Sequence, residues 1–486
     1  MTSLRSNILL NGINTVTSVL VPIITFPYAA RVLLPEGIGT INFLNGIVSY
    51  LVLITSLGIP MYAVREIARV RNNINARNKT ALEIFSLQIL LCIVGYIFVW
   101  LLASFVEEIR AHATIFYVLS LSIVFTAIGV NWFYEAIEDF KFITIRAVII
   151  RTLAAASLFI FVHSPADLLA YSIIIVGSTV GNNILNFIHL RTHISIAPKE
   201  IVRLASPEVF RHLKPALMVF SISVVSSIYL SLNSIMLGFL SCEEEVGYFT
   251  AASRITQISI TVICSVSTVL LPRVSNLISS GQTDEFKRLT SKSLLFSLMF
   301  SLPIVLGLII LSSAIMGVFC GPDYLPAINV LILNAPTVLF SALSVVTGFQ
   351  ILYPLGKTYI VVWSACGGAV VNLLLNFYLI PSFGSSGAAF STTIAEAVVL
   401  TIQLICGRKY FSFRIDTLLH PTYYVATAIM AFAIYPFGEL MPLSDIGRLI
   451  LAPIIGCIVY FFSLLLMRDS SAQNILSQIS SKLLRR

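Results

Sequence analysis

Residues 81–105 read ALEIFSLQILLCIVGYIFVWLLASF, preceded by a segment bearing Arg65, Arg69, Arg71, Arg77 and Lys79 and followed by Glu107-Glu108. A bilayer core takes about 20 mostly apolar residues to cross as a helix, so this run is long enough. Basic residues at one end and acidic ones at the other give it a direction, because Lys and Arg collect on the cytoplasmic side. Runs of the same kind cover 8–32, 38–63, 81–105, 113–135, 143–162, 167–189, 215–239, 246–271, 293–319, 327–351, 358–380, 385–406, 418–439 and 447–467, numbered spans 1 to 14 in chain order. The fold class expected is therefore all-α integral membrane.

Composition agrees. The chain of 486 residues is 57% hydrophobic and only 11% charged, with a mean hydropathy of +0.95. Soluble domains carry about 25% charged residues, so lipid must solvate most of this surface. The net charge of +8 then reads as topology and calls for no nucleic-acid partner. Met1 to Asn7 holds one Arg, and the apolar run beyond it continues past Ala30 without a small-residue cleavage site, so no cleavable signal peptide is expected. The 7 cysteines form no C-x-x-C pair, and their odd number and wide spacing argue against joining Cys242 to Cys320.

Of the 30 Lys and Arg, all but Arg31, Arg110, Arg254 and Arg448 fall on one side of this topology. Residues 190–214 carry Arg191, Lys199, Arg203, Arg211 and Lys214; residues 273–292 carry Arg273, Lys287, Arg288 and Lys292. Arg408, Lys409 and Arg414 follow, and the tail ends in Lys482, Arg485 and Arg486. An even number of spans with this bias predicts both termini in the cytoplasm. The opposite loops are short and neutral to acidic, which leaves no room for an extracytoplasmic catalytic domain. Gly356-Lys357-Thr358 imitates the end of a phosphate-binding loop, but Ile351 stands where its first Gly belongs.

The two halves echo each other. Glu36-Gly37-Ile38-Gly39 leads into span 2, and Glu244-Glu245-Val246-Gly247 leads into span 8; Ile59-Pro60 and Leu271-Pro272 end those spans. Six spans separate the copies, so they run in the same orientation, as in transporters built from parallel repeats. The architecture expected is a six-helix bundle over 1–190, a linker at 191–214, a second six-helix bundle over 215–406 and two added helices in 407–486, with a central cavity between the bundles.

Arg31 and Arg254 lie inside spans, where an unpaired guanidinium costs about 2.5–3.5 kcal/mol at mid-helix. Arg31 follows Pro27 by one turn, and Pro22 precedes Pro27 by five residues. Both prolines weaken the backbone ladder and predict a hinge in span 1. Arg31 either snorkels to the outer headgroups or stands on a cavity wall, where its planar fork matches phosphate oxygens. Arg254 sits about 12 Å into span 8 among Ser253, Thr256, Gln257 and Thr261, a polar stripe turned away from lipid. Lys141, Arg146 and Arg151 form a series whose spacing of five spreads it around span 5; Arg151 either snorkels or reaches an anion path. Arg65, Glu66 and Arg273 end spans 2 and 8 as a basic inner mouth or as plain topology signals. Glu396, beside Thr392 and Thr393 in span 12, either binds a coupling cation or proton or is a structural hydrogen-bonding group. Asn131-Trp132-Phe133-Tyr134 reads as an interfacial aromatic anchor, with sugar stacking as the alternative. The six His form no metal pattern, and no cofactor is expected.

Several of these segments resemble the Wzx-type polysaccharide (O-antigen) flippases of the multidrug/oligosaccharidyl-lipid/polysaccharide exporter superfamily. The likeness is carried by Thr25 through Gly39, by Ala63-Val64-Arg65-Glu66-Ile67-Ala68, by Asn131 through Glu135 running on from Asp139 to Arg146, and by Val246 through Ala252. It extends to about residue 405. The resemblance implies alternating-access movement of undecaprenyl-diphosphate-linked oligosaccharide from the cytoplasmic to the periplasmic leaflet of a bacterial inner membrane. It implies no enzyme activity, contact with membrane lipids, and cooperation with a polysaccharide polymerase and chain-length machinery in lipopolysaccharide assembly. H+ or Na+ would be the coupling ion. Arg31, Arg254, Arg151, Arg65 and Arg146 are then the candidates for the diphosphate. Three alternatives stand beside this reading: a peptidoglycan lipid-precursor flippase, a multidrug or cation antiporter of the same superfamily, and a membrane glycosyl polymerase or ligase.

Overall fold

The computed structural model describes residues 4–192, 207–411, 419–438, 441, 443–469 and 472–473. Lys199, Arg203, Arg414, Lys482, Arg485 and Arg486 fall outside them. Every regular element among the described residues is a helix, and nine helices are apolar and long enough to cross a membrane. Two of the nine, Leu20–Val70 and Thr358–Gly407, hold 51 and 50 residues. Unbroken, each would run about 75 Å at 1.5 Å per residue, more than twice the bilayer core. Both are interrupted: Leu34 has φ 62° and ψ 172°, and Gly384 has φ 52° and ψ −133°. Each is therefore two spans joined at a sharp corner. With Leu213–Leu240, Glu243–Ser279 and Pro421–Ile434, helices occupy all fourteen predicted positions.

The structure divides into two compact units, Met1–Gly247 and Tyr248–Arg486. In the first, spans 1 and 5 run parallel. Tyr28 donates its hydroxyl hydrogen to the Val162 carbonyl at 2.7 Å, and Arg151 reaches Thr17 at the same sequence offset. Spans 2 and 7 run antiparallel. A Cβ on Gly46 would meet Ile235 at 3.0 Å, and one on Gly58 would meet the Phe220 nitrogen at 2.6 Å. The repeat starts its second copy at span 7, whereas compactness groups that helix with the first unit, because span 2 lies along it.

In the second unit, spans 11 and 12 fold back on each other about Gly384. Gln403 Nε2 donates to Ser364 Oγ at 3.2 Å, and a Cβ on Gly368 would touch Val399 at 2.4 Å. Span 10 runs parallel to span 12, with Thr337 and Thr393 sharing a hydrogen bond of 3.0 Å and Thr347 donating to Gln403. Spans 13 and 14 belong to this unit's core: Tyr423, Met430, Tyr460 and Leu464 pack with Leu298 and Met299, and the Tyr460 hydroxyl donates to the Met299 carbonyl at 2.7 Å.

The aromatic run 131–134 corrects its sequence-based reading. Trp132, Phe133 and Tyr134 are 3%, 0% and 0% exposed, so they form neither an interfacial belt nor a sugar platform. Val130 adopts a left-handed conformation with φ 39°, which redirects the short helix Asn131–Ala136 into the core. There the Trp132 indole donates to Gln88 at 3.3 Å and the Tyr134 hydroxyl donates to the Asn186 carbonyl.

Candidate functional site

Span 8 carries two different polar faces. Ser253 and Thr256 turn into the second unit, where Asn334 Nδ2 reaches Thr256 Oγ1 at 3.1 Å and Ser253 Oγ at 3.4 Å. Asn334 accepts in turn from Thr337 at 3.2 Å. This closed network satisfies buried hydroxyls and amides, and it fixes spans 8 and 10 together. The other face carries Arg254, Gln257, Thr261 and Ser265, of which Arg254, Gln257 and Ser265 are exposed. Their spacing of three, then four, then four places them one above another along one side of the helix, over about 16 Å of its length. Lipid solvates such a line poorly, so it is a surface for water or polar groups. Thr261 returns its hydroxyl hydrogen to the Gln257 carbonyl at 2.8 Å.

Span 2 has a comparable line that the sequence reading missed. Asn42 and Asn45 are half-buried and Ser49 is exposed, at the spacing of one helix face. The signal was present as three polar residues at i, i+3 and i+7 inside an apolar run.

The predicted arginines separate by environment. Arg31 is exposed on the face that also exposes Leu20 and Ile24, three residues before the corner at Leu34. The backbone at Pro22 and Pro27 stays helical, and the break lies at Leu34. Arg65 is exposed and pairs with Glu66 at 3.2 Å, its guanidinium 5.8 Å over the Tyr62 ring. Arg151 instead ties span 5 to span 1: its Nη1 donates to Thr17 Oγ1 at 2.7 Å and to the Asn14 carbonyl at 3.3 Å. Arg146 is buried between Asn182 and Asn131. Glu396 is half-buried. Arg448, one of the four basic residues off the basic side, holds the turn before span 14 by donating to the Gly438 and Met441 carbonyls at 3.0 and 3.1 Å.

Glu83 also escaped the sequence reading, although Lys79 stands one turn before it. It is 7% exposed, faces Lys79 at 3.8 Å, and accepts from His212 Nε2 at 2.9 Å and from Arg211. His212 Nδ1 shares a 2.7 Å hydrogen bond with the Tyr62 hydroxyl. The cluster fastens the turn Pro207–His212 to spans 2 and 3. No group of three or more His, Cys, Asp or Glu suited to a metal ion occurs among the described residues.

Residues 4–278 match the family model described as polysaccharide biosynthesis protein. The chain belongs to this family. Among individual relatives, the Escherichia coli K12 protein named "Putative O-antigen transporter" is 26% identical over 84% of this chain and 97% of its own length. The "Probable low-salt glycan biosynthesis flippase Agl15" of Haloferax volcanii is 26% identical over 52% of this chain and 55% of its own. Among solved structures, the lipid II flippase MurJ in an inward closed conformation superimposes with a TM-score of 0.74 over 95% of this chain and 99% of that one, at 19% identity. An inward-facing MATE family transporter of the MOP superfamily gives 0.64 over 84% and 95%, at 16% identity. At these identities the likeness is one of fold. This member of the polysaccharide biosynthesis family thus has the fold of multi-pass membrane transporters, as its spans and repeat predicted.

Proposed function

We propose that the protein is a polysaccharide flippase, a transporter and not an enzyme, that carries undecaprenyl-diphosphate-linked oligosaccharide from the cytoplasmic to the periplasmic leaflet of the bacterial inner membrane, with both termini in the cytoplasm. The names of its relatives support glycan transport. The observation that carries the anionic substrate is the exposed line on span 8, headed by Arg254. A guanidinium beside an amide and two hydroxyls suits a diphosphate followed by a sugar, since the fork binds phosphate oxygens and the neutral groups exchange hydrogen bonds with glycan hydroxyls. Arg31 adds a second exposed guanidinium near the corner at Leu34, and Arg65 contributes to the basic loading side. Alternating access moves the headgroup while the polyprenyl chain stays in lipid. Glu396 is the proposed site for a coupling H+ or Na+, and a polymerase with its chain-length partner would take up the product.

The test uses proteoliposomes holding a fluorescent undecaprenyl-diphosphate oligosaccharide, with a membrane-impermeant quencher reading leaflet exposure. The wild-type chain should equilibrate the lipid between leaflets, and the Arg31→Ala, Arg254→Ala double variant should not, at equal protein levels. Full transport by the double variant would overturn the site assignment. Transport of lipid II alone would instead favour a peptidoglycan-precursor flippase, and elongation of the glycan would favour a polymerase.

A further inference from the structure

Arg146 is 7% exposed, and among the described residues no carboxylate pairs with its guanidinium. Neutral amides take up its donors: Nε donates to Asn182 Oδ1 at 3.1 Å and Nη2 to Asn131 Oδ1 at 3.2 Å. The guanidinium lies 5.4 Å over the Phe142 ring. Nη1 is buried and has no acceptor. The negative charge in this network stands one amide away, on the exposed Glu135, which accepts from Asn131 Nδ2 at 2.6 Å. One turn beyond Asn182 on span 6, Asn186 is 0% exposed, and both of its amide atoms are unpartnered. Tyr134 links the two positions: its ring packs 5.2 Å from Phe142 and its hydroxyl donates to the Asn186 carbonyl.

Taking a guanidinium out of water costs several kcal/mol unless a counter-charge and full hydrogen bonding offset it. Here the amide oxygens solvate two of the donors, yet a positive charge, a free Nη1 and a free Asn186 Nδ2 remain. The group that would complete them is an acceptor bearing negative charge. Asn186 Oδ1 calls for a donor, which one water beside the ion would supply.

We propose that Arg146 and Asn186, among spans 4, 5 and 6, bind a compact monovalent anion of the halide class, chloride in the cell. Arg146 was expected among the headgroup ligands; at 7% exposure its guanidinium is closed to a lipid-linked diphosphate, whereas a single small ion needs only the unpartnered Nη1 and Asn186 Nδ2. The site is independent of the line on span 8 and does not rest on the transport reading. The bound ion supplies the counter-charge around which the three helices pack.

Equilibrium binding of radiolabelled chloride to the purified, detergent-solubilised protein in gluconate buffer tests this. Saturable binding is expected, weakened by about tenfold or more, a loss near 1.4 kcal/mol, in Arg146→Gln. It should persist in Arg151→Gln, where the substituted arginine has its own hydrogen-bond partners. Absence of saturable binding in the wild-type protein, or equal binding in Arg146→Gln, would overturn the proposal. Should Arg146→Gln fail to purify as a folded protein, Asn186→Ala carries the test, because it keeps the arginine and its two amides. Several-fold weaker chloride binding supports the site, and unchanged binding overturns it.

Discussion

Gly39 and Gly247 make the same contact in mirror order. A Cβ on Gly39 would lie 1.7 Å from the Glu243 carbonyl oxygen, and one on Gly247 would lie 2.0 Å from the Pro35 carbonyl oxygen. Residues 35 and 243 are separated by the same 208 positions as 39 and 247, so one contact maps onto the other when the two segments are exchanged. All four residues lie within the first unit, so the exchange is a local property of this crossing. It fastens residues 35–40 to residues 243–247, where Glu243 also accepts from Thr40 and faces His112 at 2.8 Å. Each Ala substitution should cost about 1–3 kcal/mol, the usual toll of forcing extra atoms into a packed contact, since a backbone oxygen cannot rotate away. The Gly39→Ala, Gly247→Ala pair should cost less than the sum, because parting the segments once relieves both collisions. Thermal unfolding of the three purified variants measures this. Full additivity would argue against one shared crossing.

The two corners predict opposite responses to glycine. Leu34 holds φ 62° with ψ 172°, a region that essentially only glycine occupies without strain, at a cost of order 1–3 kcal/mol. Leu34→Gly should relieve more than the roughly 0.5–1 kcal/mol that glycine's chain entropy costs, and so raise the unfolding temperature. Gly384→Ala should lower it, because φ 52° with ψ −133° then strains the new side chain. Destabilisation by Leu34→Gly together with a neutral Gly384→Ala would mean that the corners store no strain.

The legible parts were those encoded by composition and period. Fourteen apolar runs, their alternating flanks and the Gly39/Gly247 echo were all readable, because membrane solvation acts on each segment by itself. The corner at Leu34 falls in the gap left between spans 1 and 2, so its place was readable, but its left-handed backbone was not, since a leucine carries no such signature. Burial of Trp132, Phe133 and Tyr134 depends on the turn at Val130, which the sequence does not mark. The arginines showed their charge but not their partners. Arg146 and Arg151 owe their environments to Asn182, Asn131, Asn14 and Thr17 on other helices, and the single polar stripe expected around Arg254 divides into two faces because Asn334 draws Ser253 and Thr256 away.

Glu83 is where removing one charge should loosen a whole segment. It is the shared acceptor for His212 and Arg211, and His212 is 4% exposed. Glu83→Ala leaves that imidazole nitrogen buried without its acceptor, which costs about 1–3 kcal/mol. The exposed Arg211 and Lys79 add little, as surface ions do. Hydrogen exchange at residues 207–213 should quicken in Glu83→Ala and stay near wild type in Lys79→Ala. Equal protection in both variants would assign the hold on this turn to packing of Val209 alone.

Arg151 and Arg254 should fail in different assays, and the difference separates a brace from a ligand. Arg151 is held by Thr17 and Asn14 across two helices, so Arg151→Ala should lower stability by about 1.5–3 kcal/mol, the range for hydrogen bonds to a charged group. Thr17→Val should lower it less. The double variant should fall short of the sum, because each single change already breaks the Arg151–Thr17 bond. Arg254→Ala removes an exposed side chain and should leave the unfolding temperature nearly unchanged while transport of the lipid-linked diphosphate falls. Paired melting curves and proteoliposome assays on the same preparations decide it. A large stability loss in Arg254→Ala, with transport scaling to the folded fraction, would move Arg254 from the substrate to the scaffold.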